Sequence, residues 1–290
     1  MAYFIFVFSG IIIYIALANL LHLQFGLTGI VNFGVVGFWG LGMYATTVFV
    51  VQYDLPFLVA VLLATLLTTL VAGLLGWLIL DLDSQSIIVA TLAFSTIVFY
   101  LATTEKWLTK GVVGIGTVSF PFDVGRRTDL VYLGIVLLLT VGSIYYSWLL
   151  RRAPYGRLLL AIQDNESLAR GLGKSTYTEK LTFFTLTCGA MGLFGALHAP
   201  INQFLTPVLL APGVTFTVWI ALILGGKRKV LGGLVGILLT VGLFDLLIET
   251  YLPLPSNFTI LVPNIKLMLY GLMLILILMY RPLGILGDIK

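Results

Sequence analysis

This sequence predicts an all-α, polytopic helical membrane protein, on three observations. Of its 290 residues, 60% are hydrophobic and only 10% are charged, against about 25% charged in a soluble domain. The mean hydropathy is +1.10. The apolar residues also fall in runs long enough to cross a bilayer as helices, which takes about 20 residues, with short polar stretches between them.

About nine transmembrane segments can be drawn: Tyr3–Leu21, Leu27–Val51, Pro56–Leu80, Ile87–Thr104, Leu130–Leu150, Leu181–Pro200, Val208–Gly226, Val230–Leu252 and Ile265–Tyr280. The first has no basic residues ahead of it and no clear cleavage site, so it reads as a retained span. The second is punctuated by Gly29, Gly34, Gly37, Gly40 and Gly42, with Gly26 just ahead of it and Asn32 among them. Glycine weakens a regular helix and permits close backbone approach, so this span is expected to be broken or tightly packed. Interrupted helices are where transporters present freed backbone groups to a solute, which makes Asn32 and Gly34 candidate pathway residues; plain small-residue packing is the alternative. Two further glycine rows, at Gly189, Gly192, Gly195 and at Gly232, Gly233, Gly236, read as packing faces. The longest external loop, Glu105 to Asp129, is placed to cap a pore or meet an external partner.

Between two apolar blocks lies a soluble segment, residues 151–180, within what reads as a single membrane domain over residues 1–290. It carries Arg151, Arg152, Arg157, Arg170, Lys174 and Lys180. Pro154 suits a first helical position, Tyr155, Leu159 and Ile162 share one helical face, Glu166 and Arg170 are spaced to pair, and Gly171 or Gly173 suits the helix end. Thr176 with Glu179 reads as a capping box opening the next span. The segment is therefore expected to be a folded elbow. Its run GLGKST, Gly171 to Thr176, imitates part of a phosphate-binding loop, but the required preceding glycine is Leu168 and the context is helical, so nucleotide binding is not expected.

With the elbow inside, alternation also places Lys227, Arg228, Lys229, Arg281 and Lys290 inside, leaving Lys106, Lys110, Arg126, Arg127 and Lys266 outside. The positive-inside rule then puts the N-terminus outside and the C-terminus in the cytoplasm. The net charge of +4 thus speaks of orientation and not of nucleic acid. Asp245 and Glu249 are four residues apart within a span; Asp245, the deeper, is a candidate pathway residue, and the pair is the one candidate ion site for a self-sufficient secondary transporter. Cys188 stands alone in an apolar run, and His22 and His198 lie at opposite ends of their spans. No metal site, cofactor or catalytic constellation is expected.

The segments GLTGIVNFGVVGFWGLGMY (26–44), APYGRLLLAIQDNESLARGLG (153–173), LILGG (222–226) and RPLGILG (281–287) resemble, in order and spacing, those of the LivM-like permeases, membrane subunits of ATP-binding cassette importers for branched-chain and other amino acids. The glycine-rich span is shared with related permeases for urea and short amides. The resemblance implies a bacterial inner-membrane location, an external substrate-binding protein, a second and non-identical permease subunit, and cytoplasmic ATPase subunits that hydrolyse the ATP. It also implies that residues 153–173 contact the ATPase through Tyr155, Gly156, Glu166, Ala169, Gly171 and Gly173. The sequence departs from the family where a histidine commonly follows Gly34, here Val35 and Val36, and where many members carry a glutamate, here Thr217, a further candidate pathway residue. The usually uncharged turn after Gly226 is Lys227, Arg228, Lys229. The first two changes make the cavity less polar.

Overall fold

The helices follow the apolar runs. The computed structural model describes residues 2–116, 118, 120, 128–202, 204–226, 229–245, 262–280 and 284–286. Helix α1 spans Ala2–Thr28, α2 Val35–Val51, α3 Phe57–Ile79 and α4 Ser84–Thr104. A short α5, Lys106–Thr109, a 3-10 turn at Gly111–Val113 and strand β1, Ile115–Gly116, follow. Then come α6, Thr128–Arg152, the elbow helices α7, Pro154–Asp164, and α8, Glu166–Gly171, and α9, Thr176–His198. Strand β2, Phe204–Leu205, lies between 3-10 turns at Ala199–Ile201 and Pro207–Leu210. The chain continues through α10, Gly213–Gly225, α11, Gly232–Ile237, a π-helical stretch, Leu238–Asp245, and α12, Val262–Tyr280.

Among the described residues, α1, α3, α4, α6 and α9 are the 5 helices long and apolar enough to cross a membrane, while α2, α10 and α11 are shorter apolar helices. Each drawn stretch contains an apolar helix, but length does not make every one of them a crossing.

Three boundaries differ from expectation for identifiable reasons. α1 continues past Leu21 until Gly29 takes the left-handed conformation (φ 73°), so the discontinuity expected inside Leu27–Val51 falls at its start. α4 begins at Ser84, ahead of Ile87, because the Asp83 carboxylate accepts from the backbone N–H groups of Gln85 (3.2 Å) and Ser86 (3.3 Å). α10 is delayed to Gly213 by the turn containing Pro207 and by Pro212, neither of which has an N–H to donate.

α9 runs through the centre, against α1, α2 and α3. Glycine makes that possible: a Cβ at Gly42 of α2 would overlap the carbonyl of Gly192 on α9, and one at Gly195 would overlap the carbonyl of Trp39. On the outer surface α3 shows Leu58, Leu62, Leu66, Leu70 and Leu74 exposed along one stripe, as a helix facing an apolar solvent does. At the end away from the elbow, β1 pairs antiparallel with β2, Ile115 opposite Leu205 and Gly116 opposite Phe204. That pairing fastens the loop before α6 to the linker after α9.

Candidate functional site

Two features stand at the same end of the molecule, the elbow and the break between α1 and α2. α7 begins at Pro154, as expected, and buries Leu159 and Ile162 on one face. Gly156 is required there because a Cβ would overlap the carbonyl of Leu150 at the end of α6. Tyr155, half-buried beside Phe183 of α9, has its hydroxyl pushed up to about 12 by burial, then by the charge and hydrogen bond of Glu179.

The elbow is two helices and not one. Asn165 leaves the helical conformation (φ −155°, ψ 95°) and its side chain accepts from Leu168 N–H at 3.0 Å, starting α8. α8 closes with Gly173 left-handed (φ 79°), its N–H donating to Arg170 O at 3.0 Å and Lys174 N–H donating to Ala169 O at 3.2 Å, a Schellman stop. Gly171 is the last helical residue, and Gly171 to Thr176 connects helix to helix, with no strand before it.

Glu166 ties the elbow down. It pairs with Arg170 at 3.2 Å, as the spacing predicts, and with Lys180 on α9. Burial works against its charge, but Lys180, the Thr176 hydroxyl and Arg170 outweigh it and hold the carboxyl below its usual range. The capping box is not formed in the expected way: Ser175 precedes the helix and makes no side-chain cap, while Thr176 turns to Glu166 and Glu179 to Tyr155. Ala169 is buried at 5%, whereas Leu168 and Leu172 are 61% and 74% exposed, with Gly171 open beside them. This exposed apolar pair is a feature that sequence reading missed; its signal was two leucines four apart at the end of the elbow.

The break, residues 29–34, is buried or half-buried throughout. Its polar groups are met by side chains from several helices. Gly34 N–H donates to Asn32 Oδ1 (2.6 Å), Phe33 N–H to Thr91 (3.0 Å), Val36 N–H to Thr215 (3.2 Å) and Gly37 N–H to Ser95 (3.2 Å). Trp219 Nε1 donates to Asn32 O at 2.9 Å, and the Asn32 amide donates to Gln24 Oε1 at 2.9 Å. Gln24 in turn donates to Thr187 at 2.6 Å and to Cys188 Sγ at 3.1 Å. The Trp219 ring stacks on Phe33 (5.1 Å between centroids) and meets the edge of Phe25 (5.2 Å). Asn32 is thus fully enclosed in this conformation, at 0% exposure, and Gly34 is held against the Thr91 carbonyl.

One residue joins the two features. Gln163 of α7 donates from Nε2 to Phe25 O at 3.1 Å, and its Cγ lies 3.3 Å from where a Cβ of Gly29 would stand. Thr217 is half-buried on α10, its hydroxyl donating back to Gly213 O at 3.0 Å. Asp245 ends the π-helical stretch, and Glu249 lies outside the described residues. Among the described residues no cluster of His, Cys, Asp or Glu could hold a metal. The segments LILGG and RPLGILG, far apart in sequence, meet: Ile285 N–H donates to Leu224 O (2.9 Å), Leu286 N–H to Gly225 O (3.2 Å), and a Cβ at Gly284 would come within 2.5 Å of the Gly226 Cα.

Long apolar helices packed closely at glycine contacts and joined by one helical elbow define a multi-pass helical membrane protein. The profile of the family described as branched-chain amino acid transport system, permease component, matches residues 1–278. The chain belongs to that family, which is one of transporters and not of enzymes. It is 27% identical, over 94% of its length and 68% of theirs, to the high-affinity branched-chain amino acid transport system permease proteins LivM of Salmonella typhimurium and Escherichia coli. It is 26% identical to a probable branched-chain amino acid transport permease protein LivM of Methanocaldococcus jannaschii, over 69% of this chain and 59% of that one. No solved structure matches the chain.

Proposed function

We propose that this chain is the permease subunit of an ATP-driven importer of neutral, branched-chain amino acids, crossing the bacterial inner membrane about nine times with its N-terminus outside and C-terminus in the cytoplasm. It shares the pathway with a second, non-identical permease, receives solute from an external binding protein, and is driven by cytoplasmic ATPase subunits docked on the elbow at residues 153–173. The observation that carries the reading is the fastening of the elbow. α8 is clamped to α9 through Glu166 and Lys180, α7 is hydrogen-bonded to the end of α1 through Gln163, and Leu168, Gly171 and Leu172 are left facing outward. Such a segment passes a rigid-body displacement on to the spans, where a slack loop absorbs it. In this reading the enclosed Asn32 and Gly34, with Thr217 and Asp245, border the pathway, and movement of the elbow reaches the first two through Gln163.

The test is purification in mild detergent from the native host, with mass spectrometry of what remains bound and an ATPase assay. The expected companions are an ATPase and a second permease. A chain that purifies alone and moves solute in liposomes without ATP overturns the reading and turns attention to Asp245 and Glu249 as a coupling-ion site. A complex that imports urea or short amides in place of leucine keeps the mechanism and corrects the solute.

A further inference from the structure

At the end opposite the elbow, the starts of α1 and α6 and the linker after α9 enclose a cavity of about 550 Å³, a size in the ordinary range for small-molecule sites. Its walls are mostly apolar, with Leu133 and Leu209 among them, and its polar members include Ser9, Asp129, Asn202 and Thr206. Asp129 is the sole charged residue of the lining and has no cation paired with it among the described residues.

Three of the remaining polar groups, Ser9, Tyr132 and Asn202, donate to atoms of the chain itself. Asn202 donates its amide to the His198 carbonyl at 3.1 Å, and the Ser9 hydroxyl donates to the Phe6 carbonyl at 2.8 Å. What they have left to offer is acceptor oxygen. Among the described residues the lining thus offers a carboxylate and acceptor oxygens without a basic residue, which suits a group with several donors and a positive charge and repels an anion.

We infer that this cavity takes a primary ammonium on an aliphatic body, with Asp129 as counter-charge and Leu133 and Leu209 against the hydrocarbon. Resting on the importer reading, that ligand is the amino end of the incoming amino acid, its carboxylate left toward the mouth. The cavity is then an external waiting site, separated from the elbow by the 25 residues of α6, about 37 Å at 1.5 Å per residue.

The experiment places the full chain in nanodiscs of phosphatidylcholine and phosphatidylglycerol and measures equilibrium binding of radiolabelled L-leucine, with isoamylamine and isocaproate as competitors. Saturable binding is expected, displaced by the amine and not by the acid. Asp129→Asn weakens it by about tenfold or more, the loss of one charged hydrogen bond. Asp129→Glu retains it, and Leu133→Trp, which fills the space, abolishes it, with melting temperatures of the variants compared to exclude unfolding. Equal affinity for wild type and Asp129→Asn, displacement by isocaproate, or no saturable binding overturns the inference. Loss of leucine binding when phosphatidylethanolamine is added assigns the site to a lipid ammonium and overturns it too. ATP-driven leucine uptake by the assembled complex, measured in parallel, keeps the two readings apart. Uptake without cavity binding sinks the cavity alone, and cavity binding without uptake sinks the importer.

Discussion

The indole N–H of Trp219 donates to the main-chain carbonyl of Asn32 across 187 residues of sequence, at 2.9 Å. That bond satisfies a carbonyl freed by the break, inside a region where water cannot substitute. Trp219→Phe keeps the ring between Phe25 and Phe33 and removes only the donor. It is expected to cost about 1–3 kcal/mol, the desolvation of one unpaired group, read as a lower melting temperature in detergent. Trp219→Ala, which also leaves a void, is expected to fall further, by about 3–5 kcal/mol.

Glycine substitutions divide by what stands in front of them. Gly42→Leu is expected to prevent assembly, because α9's backbone at Gly192 occupies the space, and Gly42→Ala to reduce the yield of folded protein. Gly134→Ala and Gly142→Ala on α6 meet nothing within 4 Å and are expected to be neutral or to stabilise by about 0.5–1 kcal/mol. Thermal melts of the purified variants make the comparison.

The clamp at Glu166 gives the elbow a pH dependence. Its folded value lies below the ordinary 4.5, so the unfolded chain protonates first as pH falls. The stabilisation is complete above pH 4.5 and is lost as pH drops through the folded value. Protection of amides 166–174 relative to their intrinsic exchange rate is expected to fall at low pH in the wild type and to be low already at neutral pH in Glu166→Gln.

Gly171 separates docking from folding. A Cβ there has nothing within 4 Å and the position is exposed, so Gly171→Leu is expected to leave insertion and melting unchanged while abolishing ATP-driven uptake and loosening ATPase co-purification. Leu172→Glu is expected to behave the same way. Normal uptake at normal expression in either variant removes the elbow from the coupling path.

Accessibility tests the pathway residues. With Cys188 buried, a cysteine at position 217 is expected to react with a water-soluble thiol reagent, and one at 32 to react only while ATP is turning over. A cysteine at 32 that stays unlabelled from both sides throughout turnover takes Asn32 out of the pathway.

What was legible in the sequence was periodic or local. Apolar runs located the helices, Pro154 located the elbow's start, and the spacing of Glu166 and Arg170 foretold their pair. The division of the elbow at Asn165 was missed because one side-chain cap interrupts an otherwise helical pattern. Glu166 keeps Arg170 and adds Lys180 from the next helix, and the capping box gave way because Thr176 and Glu179 found partners in Glu166 and Tyr155. Gln163 with Phe25 and Trp219 with Asn32 are tertiary, and no spacing rule announces them. Asn32 itself stood out for its polarity, but its present partners are set by three other helices.

The way the break is satisfied also dictates an order of biogenesis. An unpaired backbone group in hydrocarbon costs several kcal/mol, and those around residues 29–37 are answered by Thr91 and Ser95 of α4 and by Thr215 and Trp219 of α10. The first helical pair leaving the ribosome therefore lacks the groups that complete it. It has to wait at a hydrated site, or against the insertion machinery, until α10 has been synthesised. A chain cut off before α10 would leave that pair unfinished, which makes the second half of the sequence the internal chaperone of the first.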